Sequence, residues 1–472
     1  MLGVGGAIQA GIFVMLSYAA GLAGTSLILA LILCGAINFF TMCSYAELGS
    51  ALPKAGGEYT FAKAAYGGLV SFMTGWFEWI SNMFFAALSA VGFAFIISYV
   101  IPVNVPLTAI LTIIVFAFIN IRGVNEVGKS QTLMVGALLS ILIAFIINGL
   151  AIPSTAPLQL TSPTGLLGVI RATAYIFVVY LGVEAIAVAQ AEIKNPSKNI
   201  PRAILLSAMV LFIIYPLTAY VMFRFAPPET VSGEYSSLIY VAELSMGFVG
   251  KLALVIAGII AALSSINTSI MAQSRVAYAL SRDGYFPKSL MRIHHRFSTP
   301  HVAVIIGSIL TAVLAATGVI NFVGYATDFG FIIGFALVNL SLIKLRKEKP
   351  LLERPFKTPL YPFTPIAGIA TSLFLLAFID VGVLSLGIVL SVLAVFAYYI
   401  RMVGYLRIRI AFGGISLGLG GFTGILTYQI SAGITQLNGV TSTATTIIII
   451  VLFFASVIQV VAGILNVTAK PQ

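Results

Sequence analysis

Charge is what this sequence has least of. Of 472 residues only 8% are Asp, Glu, Lys or Arg, against about 25% in a typical soluble domain. A water-soluble protein of this size would have nothing with which to coat its surface, and that class is excluded. Cysteine is nearly absent too. Cys34 and Cys43 share one apolar run, which leaves no disulfide framework. The three histidines (His294, His295, His301) fall in one basic loop and are too sparse for a metal site. With no Gly-rich phosphate loop and no intramembrane histidine either, the constellations of a membrane enzyme are missing. Period-2 alternation is missing as well, which argues against a β-barrel. No charged n-region precedes the first run, so no cleavable signal peptide is read.

What is present is apolar sequence in long runs, 60% hydrophobic overall. A helix needs about 20 apolar residues to cross roughly 30 Å of hydrocarbon. Segments of this kind lie near 1–18, 25–51, 69–99, 106–121, 130–150, 168–190 and 203–224. Seven more lie near 248–280, 301–318, 320–344, 364–380, 382–403, 410–430 and 444–465. The expectation is an all-α membrane protein of about 14 transmembrane helices. Its first segment is short enough to suggest a longer native N-terminus.

Charge placement tests the count. With the loop after segment 2 in the cytoplasm, every Lys and Arg except Arg171, Arg224 and Lys251 falls on the cytoplasmic side. The opposite loops carry Glu229, Glu234 and Glu243. This positive-inside asymmetry predicts a multi-pass protein of the cell membrane with both termini cytoplasmic. It also assigns the net charge of +11 to anionic lipid headgroups of the bilayer, not to nucleic acid.

Two segments are poor helices. The first begins "GVGGAIQAGIFV", and each glycine costs a helix about 1 kcal/mol relative to alanine. The sixth reads "AYIFVVYLGVEAIAVAQ", with Gly182 and Glu184 in an otherwise apolar run. Secondary transporters place substrate mid-membrane where two helices are interrupted at corresponding positions of a repeat. The exposed N–H end of a half-helix suits an anionic group, and bare carbonyls suit an ammonium or a metal cation. Such backbone is tolerated only against protein or a watery cavity. Glycines in transmembrane helices also serve close packing. If segments 1–5 and 6–10 form the repeat, the two breaks correspond.

Five motifs in order resemble the amino acid–polyamine–organocation transporters. They are "GVGGAIQAGIF", "YAELGSALPKAGGEYTFAKAAYG", "YLGVEAIAVAQAEIKNPSKNIPRAI", "SSINTSIMAQSRVAYALSRDGYFP" and "RPFKTPLYP". The resemblance covers segments 1–12. It implies a five-plus-five inverted-repeat fold: residues 1–150 as the first repeat, 151–350 as the second, 351–403 as segments 11 and 12. Residues 404–472 form two extra helices outside the match. It also implies a carrier of amino acids or amines, working without a cofactor, with Na+ or H+ as a possible coupling ion. "PKAGGEYTF" reads as a turn before an amphipathic piece, and "KNPSKNIPRAI" ends one helix at Asn-Pro and starts the next after Ile-Pro.

The resemblance further implies site residues. Substrate carboxylate maps to the N–H groups of Ala10 and Gly11 with the carbonyl of Ala7, and the amine maps to the carbonyls of Val178 and Leu181, beside Gly182. Three departures follow. Gln9 replaces a usual glycine, where it can donate to a carboxylate, reject ordinary α-amino acids, or plug the backbone's own hydrogen bonds. Val178 replaces an aromatic lid, for which Phe177 or Tyr180 could substitute; this leans towards apolar substrates. Near Leu138 the lysine of some proton-coupled relatives is absent, which leaves room for sodium held by Ser264, Ser265 or Thr268. Such hydroxyls also bond their own helix.

Glu78, Glu184 and Asp328 are the acids inside the membrane. Each costs about 2.5–3.5 kcal/mol on insertion scales and asks for a partner or a job. Glu184 suits gating or proton linkage, and Asp328 could hold a cationic substrate. That makes a polyamine or cationic amino acid carrier or exchanger the alternative to a general amino acid carrier. A channel is disfavoured, because no filter repeat or charged ring is present. Oligomeric state stays open, as does the role of the Gly-rich segments 13 and 14.

Overall fold

The computed structural model describes residues 8–52, 56–123, 127–153, 159–183, 185–188, 193–233, 236–402, 407–431 and 442–468. Regular structure among the described residues is entirely helical. The first part of the chain runs α1 (Ala10–Ala23), α2 (Leu27–Ala51), α3 (Gly57–Ala65), α4 (Gly68–Ser98), α5 (Val105–Arg122) and α6 (Val127–Ala151). Then come α7 (Leu166–Tyr175), α8 (Ala185–Val188), α9 (Pro196–Phe225), α10 (Pro228–Ser232), α11 (Ser237–Arg282), α12 (His301–Ala315), α13 (Ile320–Glu348) and α14 (Phe363–Leu376). The last three are α15 (Val381–Met402), α16 (Arg407–Ser431) and α17 (Ser442–Thr468).

Helices lie over every candidate segment. Eight described stretches are long and apolar enough to cross a membrane, with α1 and α2 counted together; four shorter apolar helices accompany them. The chain divides into two compact units, one of residues 1–279 and 288–379, the other of 280–287 and 380–472. Segment 12 therefore groups with the C-terminal helices.

In the first unit α4 and α13 form the centre. Their apolar windows are 83% and 78% buried, against 11% for α5 at the periphery. α2 packs along α9, α13 along α4 and α14, and α1 against α4, α7 and α10. The α1–α2 connection is pinned from outside its own hairpin: Ser26 N–H donates to the Thr161 carbonyl at 3.1 Å. Gly24 holds φ +58 there, and a Cβ on it would sit 2.6 Å from that carbonyl oxygen. Only glycine fits both constraints.

Local chemistry explains the ends. Asn104 caps α5 by accepting from Leu107 N–H at 3.0 Å, with Pro106 in the first turn. The amphipathic piece after "PKAGG" is α3, which enters on a positive-φ Gly56. α9 corrects the expectation for "KNPSKNIPRAI". It starts at Pro196, not after Ile-Pro, and Pro201 lies inside it. Asn195 in the left-handed region starts the helix, because its carbonyl accepts from Lys198 and Asn199 at 3.1 and 3.0 Å. Pro201 then removes just one intrahelical bond. α11 begins eleven residues before the expected 248, but its backbone leaves the helical region at Gly247 (φ 65, ψ −157), so the expected span starts at that break.

In the second unit α16 and α17 pack on one another. Ser456 Oγ donates to the Gly420 carbonyl at 2.6 Å, and Thr423 meets Gln459 at 3.2 Å. The glycines of "FGGISLGLGGFTG" allow this approach.

Candidate functional site

Segment 6 is interrupted as its composition predicts. α7 stops at Tyr175, a single 3-10 turn covers Phe177–Tyr180, and Leu181 is extended (φ −73, ψ 168). Gly182 follows at φ +102, a conformation that L side chains rarely adopt. The turn satisfies part of its own backbone: Val179 N–H donates to Ile176 O at 3.0 Å, and Leu181 N–H to Val178 O at 2.9 Å. Cys34 Sγ also approaches Ile176 O, at 3.8 Å.

α1 starts at Ala10, after an extended Gln9 (φ −123, ψ 173). Its first-turn N–H groups, those of Ala10 and Gly11 among them, have no acceptor inside the helix and form a positive dipole end. Gln9 does not cap that end. Its Nε2 reaches across to donate to Leu181 O at 2.8 Å, joining the start of α1 to the break in segment 6. That bond is the one expected of a glutamine that plugs the unwound backbone. Gly11 faces the same break, where a Cβ would sit 3.4 Å from Val179 Cγ2 and 3.5 Å from Met15 Sδ. Ala7 and Glu184 lie outside the described residues.

The two candidate lids turn away from the break. Tyr180 donates its hydroxyl to Leu31 O at 2.8 Å and meets Tyr215 edge-on at 5.2 Å. Phe177 packs edge-on against Phe335 of α13 at 5.5 Å. Both side chains therefore serve helix packing in this conformation, and Val178 is fully buried. The carbonyls expected to receive an amine are already acceptors: Val178 O from Leu181 N–H, and Leu181 O from Gln9.

Beside this turn stands Asp328. It is 0% exposed, and neither carboxylate oxygen closes a hydrogen bond with any described residue. The Val178 backbone N–H is turned toward it. Cys34 of α2 and Tyr175 of α7 lie close enough to feel its charge. One turn earlier on α13, Tyr325 meets Tyr175 at 4.8 Å, and Tyr175 meets Tyr18 of α1 at 4.7 Å. Tyr175 also donates to Asn321 Oδ1 at 2.7 Å. The column of three rings runs from Tyr18, 39% exposed, to the buried Tyr175 and Tyr325. The sequence reading missed these tyrosines. Their one signal was the i, i+3 spacing of Tyr325 and Asp328 on a helix face.

The amino acid permease family model matches residues 1–382. The chain belongs to that family. It is 28% identical over 400 residues to a branched-chain amino acid permease of Bacillus subtilis, covering 80% of this chain and 85% of that one. It is 29% identical over 398 residues to a methylthioribose transporter of the same organism, covering 78% and 85%. Identity to the human cystine/glutamate transporter is 29% over 392 residues, covering 78% and 77%. The protein is thus a multi-pass membrane transporter and not an enzyme. The family match ends within three residues of Ile379, where the first compact unit ends.

In this permease the hydroxyls named for ion coupling are engaged within α11. Ser265 Oγ donates to Ala261 O at 2.8 Å, and Thr268 Oγ1 to Ser264 O at 3.0 Å and Ser265 O at 3.1 Å. Among the described residues no group of three or more His, Cys, Asp or Glu is placed to hold a metal. Glu78 has found its partner: its Oε2 accepts from Tyr59 N–H at 3.1 Å, in the first turn of α3. Glu58 of the same turn accepts from Tyr45 Oη at 2.5 Å.

The permease motifs "YAELG" and "RPFKTP" meet in a cluster that the sequence left unassigned. Glu47 of α2, 0% exposed, accepts from Arg346 Nε at 2.8 Å and Nη2 at 2.5 Å. Arg354 Nε lies 3.2 Å from its Oε1, and Thr358 N–H donates to its Oε2 at 2.7 Å. A bidentate guanidinium, a second guanidinium and a backbone donor leave this carboxylate fully paired.

Proposed function

We propose that the protein is a secondary active transporter carrying amino acids by alternating access, with the substrate head group held between the start of α1 and the break in segment 6. The single observation carrying this reading is the Gln9–Leu181 bond, which brings the positive dipole end of one helix against the unwound backbone of another. The first-turn N–H groups of Ala10 and Gly11 suit a carboxylate, and the remaining acceptor capacity around Val178, Leu181 and Gly182 suits an amine. Ala7 would contribute from its carbonyl. A five-plus-five inverted repeat of about 14 spans, in the cell membrane with both termini cytoplasmic, is the architecture that goes with it.

The apolar, lidless Val178 leans towards aliphatic side chains, in keeping with the name of the branched-chain relative. A second reading, a carrier or exchanger of cationic amino acids or polyamines, is favoured by the unpartnered Asp328. Sodium at Ser264, Ser265 and Thr268, or proton linkage through Glu184 or Asp328, would supply the coupling ion.

The test is uptake of radiolabelled amino acids and amines into proteoliposomes under a sodium gradient, a proton gradient, and neither. Uptake of at least one amino acid is expected. No uptake of any amino acid or amine would overturn the proposal.

A further inference from the structure

A carboxylate that is wholly buried, with no cation or donor closing on it, is not a stable resting arrangement at this depth. Around Asp328 the neighbours are accounted for element by element. α2 offers Cys34, α7 offers Tyr175 and α13 itself Tyr325. α1 offers Met15, whose side chain meets Gly324 one turn from Asp328, and Tyr18 beyond Tyr175. α4 places Phe77 and Ser81 against Phe329 and Gly330, while its Glu78 is engaged at Tyr59. No described lysine or arginine pairs with Asp328. The group therefore has two ways to shed its charge: take a proton, or take a ligand cation.

We infer that Asp328 is an exchange site at which the ammonium group of the substrate replaces a proton. The inference rests on the reading above and sharpens it: the ammonium pairs with Asp328 beside the break, since the carbonyls of Val178 and Leu181 each have only part of their acceptor capacity left after Leu181 N–H and Gln9. In the empty protein the carboxyl is neutral. When R–NH3+ arrives, the carboxyl O–H bond breaks, its proton leaves to water, and the carboxylate pairs with the ammonium. One positive charge enters the site and one leaves. The Tyr18–Tyr175–Tyr325 column gives the incoming cation aromatic faces on its way, each worth about 0.5–2 kcal/mol to a cation. The substrate class is any molecule bearing an ammonium group, with a carboxylate, where there is one, at the start of α1.

The experiment uses the full chain in proteoliposomes loaded with a pH-sensitive dye. Radiolabelled leucine and lysine are offered singly, with isopentylamine, putrescine and isocaproate as competitors. The amines should inhibit uptake and isocaproate should not. Amine entry should make the lumen more alkaline. Inhibition by putrescine should strengthen about tenfold per unit rise in pH while one proton is exchanged for one ammonium. Asp328→Asn should lose dye response and pH dependence together, and Asp328→Glu should retain both.

Uptake of leucine or lysine with no proton movement, or inhibition by isocaproate but not by amines, overturns this inference and leaves the transporter reading standing. These wild-type readouts decide the matter even if the variants fail to fold. Absence of any uptake would instead remove the reading on which the inference rests.

Discussion

Glu47 and Asp328 are both carboxylates with 0% exposure, and they are treated in opposite ways. Glu47 ties α2 to the end of α13 and to the segment after it, with two arginines and a backbone N–H around it. Asp328, five turns back along α13, has a single backbone N–H turned toward it and no bond closed. A buried carboxylate that is fully paired holds helices together. A buried carboxyl that is left open waits for something not yet bound. The difference separates scaffold from working site at two levels of α13, where Arg346 meets Glu47 and where Asp328 stands.

The comparison breaks first at Glu47. Glu47→Gln leaves Arg346 and Arg354 facing an amide, and removing one partner of a buried pair costs about 3–5 kcal/mol. A large fall in thermal stability in detergent, followed by size exclusion, is the expected result; unchanged stability would mean that the cluster is not structural. Asp328→Asn should do the reverse. It exchanges one neutral, unpartnered buried group for another of the same shape, so the melting temperature should not fall, while amine transport is lost. A melting temperature that dropped as far as that of Glu47→Gln would erase the contrast.

Gln9→Leu sharpens the site itself. It leaves the Leu181 carbonyl without its Gln9 donor, at about 1–3 kcal/mol, so substrate affinity should weaken with folding preserved. Equal affinity in a binding titration would show that the cross-link does not shape the site. The smallest effect belongs to the exposed Lys251–Glu243 pair, 3.0 Å apart with side chains 23% and 44% exposed. Lys251→Met should change stability by less than about 1 kcal/mol, and a larger change in a melting curve would mark it as part of the fold.

Helix positions were legible because apolar runs of spanning length admit few other readings. The break in segment 6 was legible from Gly182 and Glu184 in an apolar run, taken together with the glycine-rich start of segment 1. What Gln9 does was not, since its partner lies 172 residues away and local sequence carries no trace of it. Glu47 was hidden for the same reason: Arg346 is 299 residues distant, and each motif reads separately as loop chemistry. The start of α9 was misjudged because Ile-Pro resembles a helix start, and the left-handed Asn195 that begins the helix has no unique sequence mark. The orientation of Phe177 and Tyr180 depended on Phe335, Leu31 and Tyr215, all brought there by packing.

The central claim is that substrate is held on backbone where α1 begins. Binding of radiolabelled substrate to purified Gly11→Ala and Gly11→Leu proteins tests it most directly. A Cβ at Gly11 meets Val179 and Met15 at ordinary contact distances, so alanine should bind within a few-fold of wild type. Leucine carries three further carbons into the space where that Cβ already touches Val179 and Met15, and should abolish binding in protein that still elutes as a folded species. Normal binding by folded Gly11→Leu would contradict the account.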